Sequence, residues 1–158
     1  MLKTFVLTMG FLVVTALSAN SSYGQTGRKS VPAAEVNGTF RSNYTGKFRG
    51  NYNEIKILAL GGGRLRISMD LTYPYELDGE ITSNVGGLDG EAVIKGDTAV
   101  YSSKDEFGRC EITIRFVKPG LINVKDNPDA MGCGFGNHVY AGGTYHKVSS
   151  KKPTFESQ

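Results

Sequence analysis

The chain predicts an all-β fold: a small antiparallel β-barrel (or sandwich) of about eight strands with one disulfide. Three observations carry this. From residue 38 onward, apolar and polar residues alternate with period two, the pattern of strands half-buried against a core. Glycine is abundant, 21 residues of 158, where average usage is about 7%, and it punctuates short apolar runs without any Gly-X-Y repeat. Beyond the opening segment, no ten-residue stretch has helical periodicity. A barrel is favoured because the first and last strands each place an aromatic residue just after a glycine, Gly38-Thr39-Phe40 and Gly143-Thr144-Tyr145. Pairing those two strands would remove the exposed edges.

The first 24 residues read as an export signal. Met1-Leu2-Lys3 is a positive start, Phe5 to Leu17 is apolar apart from Thr and one Gly, and Ser22-Tyr23-Gly24 offers small residues to a signal peptidase. Cleavage after Gly24 would leave Gln25 first. The apolar run is too short for a membrane anchor, which needs about 20 residues, so no membrane insertion is expected once the signal is removed. Residues 25–37 lack a clear period and read as a mobile leader, 38–148 as the barrel domain, and 149–158 as a frayed tail. Removing the signal leaves roughly 134 residues, the usual size of one domain and enough for a single core.

Within the domain, Thr39–Arg41 and Gly46–Arg49 read as short strands. Asn53–Leu60 and Arg64–Thr72 flank Gly61-Gly62-Gly63, a strong hairpin signal, with Ile55, Ile57, Ala59 and Leu65, Ile67, Met69, Leu71 facing inward. Tyr73-Pro74-Tyr75 is expected to interrupt the second strand, because Pro cannot donate to a ladder. An edge strand then resumes over Tyr75–Thr82, and Asn84–Asp89 reads as a Gly-rich loop. Glu91–Lys95 and Thr98–Ser103 form a hairpin across Gly96-Asp97, and Lys104–Gly108 is a charged turn. Arg109–Lys118 turns at Pro119-Gly120 into Leu121–Lys125, and Thr144–Val148 completes the set.

Two cysteines in an exported chain most simply form one bridge, Cys110 to Cys133. Closing a loop of about 22 residues contributes about 3 kcal/mol through the unfolded state. Reflection across Pro119-Gly120 sets Cys110 opposite the neighbourhood of Asp129, a few positions from Cys133, so the bridge would pin the Asn127–Gly136 loop to the hairpin base.

Composition excludes more than it assigns. The formal net charge is +3, or +2 once Lys3 departs, with both signs interspersed. That is no basic stripe, and nucleic acid is not an expected partner. The cluster Cys133-Gly134-Phe135-Gly136-Asn137-His138 could supply a thiolate and a base, but a bridged sulfur is no nucleophile. A Cys/His hydrolase is therefore the weaker alternative and no enzyme activity is expected. His138, His146 and the cysteines lack zinc spacing, and Gly61-Gly62-Gly63 lacks the Lys-Ser/Thr of a phosphate loop, so neither metal nor cofactor is expected. The candidate binding residues are Tyr73 and Tyr75 around Pro74, with Phe135, Asn137, His138, Tyr140 and Tyr145 in the C-terminal part, since Tyr joins large contact area to a polar tip.

The run Cys110-Glu-Ile-Thr-Ile-Arg-Phe, a short return strand, Cys133-Gly-Phe-Gly-Asn and Gly143-Thr-Tyr-His-Lys resembles a pattern in small exported bacterial proteins of uncharacterised function. Some of these are distantly similar to the periplasmic lysozyme inhibitors, small antiparallel β-barrels with a disulfide. The resemblance covers about a third of the chain and implies a bacterial, periplasmic or secreted protein. Those inhibitors present a Ser-Gly loop ending in Tyr, whereas Ala141-Gly142-Gly143-Thr144-Tyr145 keeps Gly and Tyr and lacks the Ser. The resulting expectation is an exported, non-catalytic, monomeric binding protein that takes a protein or small ligand through loops at one rim, chiefly Asn127 to Tyr145. A carrier of a lipid-like molecule in a hollow barrel is the alternative.

Overall fold

A computed structural model describes residues 28–105, 108–126 and 130–155. The export signal and its cleavage site, residues 25–27, Asn127 to Asp129 with the expected Cys110 partner, and the last three residues lie outside them.

Eight antiparallel strands close into one barrel in sequence order: β1 (Gly38–Asn43), β2 (Tyr52–Gly61), β3 (Arg64–Leu77), β4 (Glu80–Lys95), β5 (Thr98–Asp105), β6 (Gly108–Lys118), β7 (Leu121–Asp126) and β8 (Gly143–Ser149). The first and last strands do pair, through Phe40↔Lys147 and Arg41↔His146. Period-two patterning translates directly into the core. Ile55 and Ile57 on β2, Leu65, Ile67, Met69 and Leu71 on β3, Ile112, Ile114 and Phe116 on β6, and Ile122 and Val124 on β7 are all at most 2% exposed. Each such side chain contributes about 1.5–3 kcal/mol of burial. Surface lining a water-sized lumen would register as exposed, so these described side chains fill the barrel, as expected at eight strands.

Three local expectations are corrected. Gly46–Arg49 is not a strand: Gly46–Phe48 forms a 3₁₀ turn. Tyr73-Pro74-Tyr75 does not interrupt β3, which pairs with β4 continuously from Arg64↔Val93 to Leu77↔Glu80. The Thr72 amide donates to Asn53 Oδ1 on β2 (2.8 Å), so even-numbered residues of β3 turn their backbone groups toward β2. Pro74 is the next in that series, and β2 pairs with β3 only as far as Glu54↔Asp70. The amide that Pro lacks would therefore face an edge with no partner strand.

Asn84–Asp89 is strand rather than loop, paired with β3 from Tyr73↔Asn84 to Ser68↔Asp89, and other parts of the chain need two of the glycines in and beside it. A Cβ at Gly86 would come 3.0 Å from Phe135 and Val139, and one at Gly90 would come 2.6 Å from the Tyr101 ring. Beyond the barrel wall β3 and β4 project together as a two-stranded ribbon, turning at Asp78-Gly79, where both residues take positive φ (51° and 83°). Asp-Gly with both φ positive is the preferred two-residue hairpin turn.

The described part of the leader contacts the barrel. Ala33–Val36 forms a short helix, α1, with Val36 buried. Arg28 pairs with Glu35 at 2.6 Å and donates to the Phe116 carbonyl at 2.8 Å. The Lys147 ammonium donates to the carbonyls of Ala34, Glu35 and Asn37 at 2.7–3.0 Å. Residues 28–37 thus form a strap across one end of the barrel. In the tail, Pro153 is buried and Phe155 lies under the Arg66 guanidinium at 5.6 Å.

Candidate functional site

The opposite end holds most of the candidate residues, and the reason is a weak seam in the barrel. β4 and β5 share only Val93↔Val100, Ile94↔Ala99 and Lys95↔Thr98. Among the described residues, β4 from Glu80 to Ala92 has no strand partner on that side. Its uncovered backbone is met instead by the chain after Cys133. The Gly136 amide donates to the Val85 carbonyl (3.1 Å), and Asn84 Nδ2 donates to the Asn137 carbonyl (2.7 Å). Gly136 lies so close to Val85 that a Cβ there would be 2.5 Å from the Val85 carbonyl oxygen. A few hydrogen bonds and two bare glycines, Gly86 and Gly136, let a loop stand in for a strand.

Two anchors hold this loop. Cys133 is bonded to the buried Cys110 of β6. At the far end, the Ala141 amide donates to Asp126 Oδ2 (2.7 Å), and the Tyr145 hydroxyl donates to the Ala141 carbonyl (2.8 Å). Between them Phe135 and Val139 pack against the core, while Asn137, His138 and Tyr140 stay exposed. The Val139 amide donates to the Gly136 carbonyl (3.0 Å) and closes a tight turn, in which His138 takes φ 59°, a left-handed conformation that His enters more readily than most residues. The His138 ring lies 5.3 Å from the Tyr73 ring, tilted by 36°.

The structure therefore brings Tyr73, Asn137 and His138 together, since Tyr73 sits directly opposite Asn84, the donor to Asn137. Tyr75 shares the ribbon face of Tyr73 two residues on and is half-buried. Phe135 is half-buried beneath the loop, and Tyr140 is 54% exposed on it. Tyr145 is a correction. Its side chain is 0% exposed, a core residue on the inward face of β8, and burial pushes its phenol well above the ordinary range. It offers nothing to a ligand. The Ala141–Tyr145 segment therefore does not expose the Tyr that the inhibitor resemblance implies, and Ala141 is buried too.

Sequence reasoning missed the apolar residues of the ribbon, Leu77 (57% exposed), Ile81 (52%) and Val85 (67%). The signal was present in Asp78-Gly79, which marks a hairpin tip. The Cys133–His138 pair has no thiolate to offer while the sulfur is bridged. Among the described residues no three of His, Cys, Asp and Glu gather as metal ligands, and no helix is long and apolar enough to cross a membrane. No known protein family, characterised protein or solved structure matches the chain.

Proposed function

We propose that this is an exported, non-catalytic binding protein, and that it takes a protein partner at the rim built by the β3–β4 ribbon and the stapled loop. One observation carries the reading. Tyr73, Leu77, His138 and Tyr140 are exposed on two elements that hydrogen bonds and a disulfide fix against each other. Rigid, solvent-facing aromatic and aliphatic side chains are the anchors that protein interfaces use, and pre-ordering them lowers the entropy lost on association. A two-stranded ribbon with apolar side chains in water is only marginally stable by itself, which suits a surface completed by a partner.

Two rival readings have less support. The carrier needs a lumen, and the inward side chains fill it. The hydrolase needs the thiolate that the bridge removes. Export rests on the signal-like opening residues and on the bridge, since disulfides persist in oxidising compartments.

Affinity capture tests the reading, with the oxidised mature protein as bait against periplasmic and culture-fluid fractions. One partner should be retained by the wild type and lost with Tyr73→Ala or Tyr140→Ala, while the folded variants keep their circular dichroism. Equal capture by wild type and both variants would refute the rim. For the narrower inhibitor version, a lysozyme turbidity assay decides: unchanged lysis at micromolar protein removes it.

A further inference from the structure

The outward face of β2, β3 and β4 carries a groove that meets the rim at Val85 and extends away from it. Its larger lobe, 610 Å³, runs between Asn51 and Tyr52 on one side and Val85 on the other. A second lobe of 330 Å³ continues past Ser68 toward Lys56 and Asp89. Both lobes are lined by Asp70 and Gly87, which face each other across the β3–β4 pairing, so the two form one elongated trough.

Gly87 is the informative residue. Its neighbours Gly86 and Gly90 are bare because Phe135, Val139 and Tyr101 occupy the space of a side chain. Gly87 has no such constraint. Its φ lies outside the left-handed region, and a Cβ would meet only the Met69 carbonyl, at 3.7 Å. A bare position in a strand is destabilising, and it recurs where a ligand approaches the backbone closely.

Two polar groups beside it are uncommitted. The Asp70 carboxylate has no hydrogen bond or ion pair among the described residues, and neither does the Ser68 hydroxyl two residues along the same face. Asp70 lies directly opposite Glu54, which is already occupied by Arg41 at 2.6 Å. Asp89 is occupied by Arg66. At the far end of the larger lobe Tyr52 offers a ring, whose position Arg41 fixes by stacking at 4.0 Å.

A flat backbone floor, an aromatic ring at one end and a free carboxylate at the centre match the needs of a sugar. The ring's C–H face packs on apolar or aromatic surface, and neighbouring hydroxyls donate to the two carboxylate oxygens. Phosphate-bearing ligands are disfavoured by the same carboxylates. A compact ligand would leave one lobe empty, whereas a linear chain fills both. We propose that this trough binds a linear, uncharged oligosaccharide, with one ring over Gly87 bonded to Asp70 and the next toward Tyr52.

Titration of the ¹⁵N-labelled, oxidised mature protein tests the site. The probes are cellotetraose, chitotetraose and maltotetraose to about ten millimolar, the weak-binding range, with tetralysine as the contrasting cation. At least one sugar should shift the amides of Tyr52, Asp70 and Gly87 and leave Tyr73 and His138 unmoved. Asp70→Asn and Gly87→Val should each weaken that binding about tenfold or more, the loss of one charge-assisted hydrogen bond or of the floor. Asp70→Asn alters a single exposed side chain and keeps the test decisive should Gly87→Val misfold. No shift with any sugar, unchanged binding by the folded variants, or shifts with tetralysine alone would overturn the proposal.

Discussion

At the end of the barrel that carries the strap, connections are short and hydrogen bonds tie them to one another. Gly61-Gly62-Gly63, Gly96-Asp97 and Pro119-Gly120 close three hairpins, and the strap ties them together. The Ala59 amide donates to Asn37 Oδ1 (2.6 Å), the Lys147 amide to the Gly120 carbonyl (2.9 Å), and the Phe116 amide to the Asp97 carbonyl (2.8 Å). At the other end a ribbon projects, the β4–β5 seam opens, and a loop held by a disulfide covers the gap. The first end spends its residues on closure, and the apolar side chains exposed near it, Leu60, Val93, Val117 and Val148, lie on the barrel strands and not on a projecting element. The second leaves apolar side chains and a strand edge in water. That difference, in a chain with one continuous core, is the physical ground for placing recognition at the ribbon end.

Four changes would break or sharpen the contrast, and the largest effect belongs to the loop. Cys110→Ser with Cys133→Ser should lower the unfolding free energy by about 3 kcal/mol in urea and weaken partner capture as well. A double variant with full capture would show that the rim orders itself without the bridge.

At the strap end, Lys147→Met keeps the stem and removes three hydrogen bonds, for a loss of about 2 kcal/mol. Capture at the rim should stay intact. Burial lowers the affinity of this ammonium for its proton, and the nearby Glu35 opposes that shift. Loss of capture in a folded Lys147→Met protein would mean the two ends are coupled.

Next is a pH effect at the strap end. The Asp97 carboxyl is held below the usual range, first by the Thr98 hydroxyl at 2.9 Å and also by Arg115 at 3.3 Å. Its folded affinity for protons is below the unfolded one, so its contribution is complete above about pH 4. It is lost as pH falls through the folded value. Asp97→Asn should therefore reduce stability at neutral pH and flatten the acid limb of the urea midpoint against pH. An unchanged acid limb would contradict the assignment.

The smallest change in stability is expected at Pro74. Pro74 is buried on the side of β3 that β2 does not reach, so Pro74→Thr puts an amide and a hydroxyl under cover there and should lower the unfolding free energy by about 1 kcal/mol in urea. An unchanged urea midpoint would show that the site accepts a donor without cost.

Much of the barrel was legible because its rules are local. Leu65, Ile67, Met69 and Leu71 announce a strand and its inward face without reference to the rest of the chain, and Cys110 and Cys133 pair through simple counting. What misled were residues whose reasons lie far off in sequence. Gly86 read as loop because the side chains that need its space are Val139 and Phe135. Pro74 read as a break because only the end of β2 shows which way its missing amide points. Ala33–Val36 is one turn long, too short to show a period, and its anchor, Lys147, lies more than a hundred residues away. Of the binding candidates, Tyr145 alone fell in the core. The alternation on β8, Gly143, Tyr145 and Lys147 against the exposed Thr144, His146 and Val148, would have placed it inward.

The Cys133–Ala141 loop docks on β4 in place of a strand. Amide hydrogen exchange at Gly136, measured in the oxidised and reduced protein, tests it most directly. Strong protection in the oxidised form, comparable to β4 itself and lost on reduction, is the expected result. A Gly136 amide that exchanges at the free-peptide rate while the disulfide is intact would contradict it.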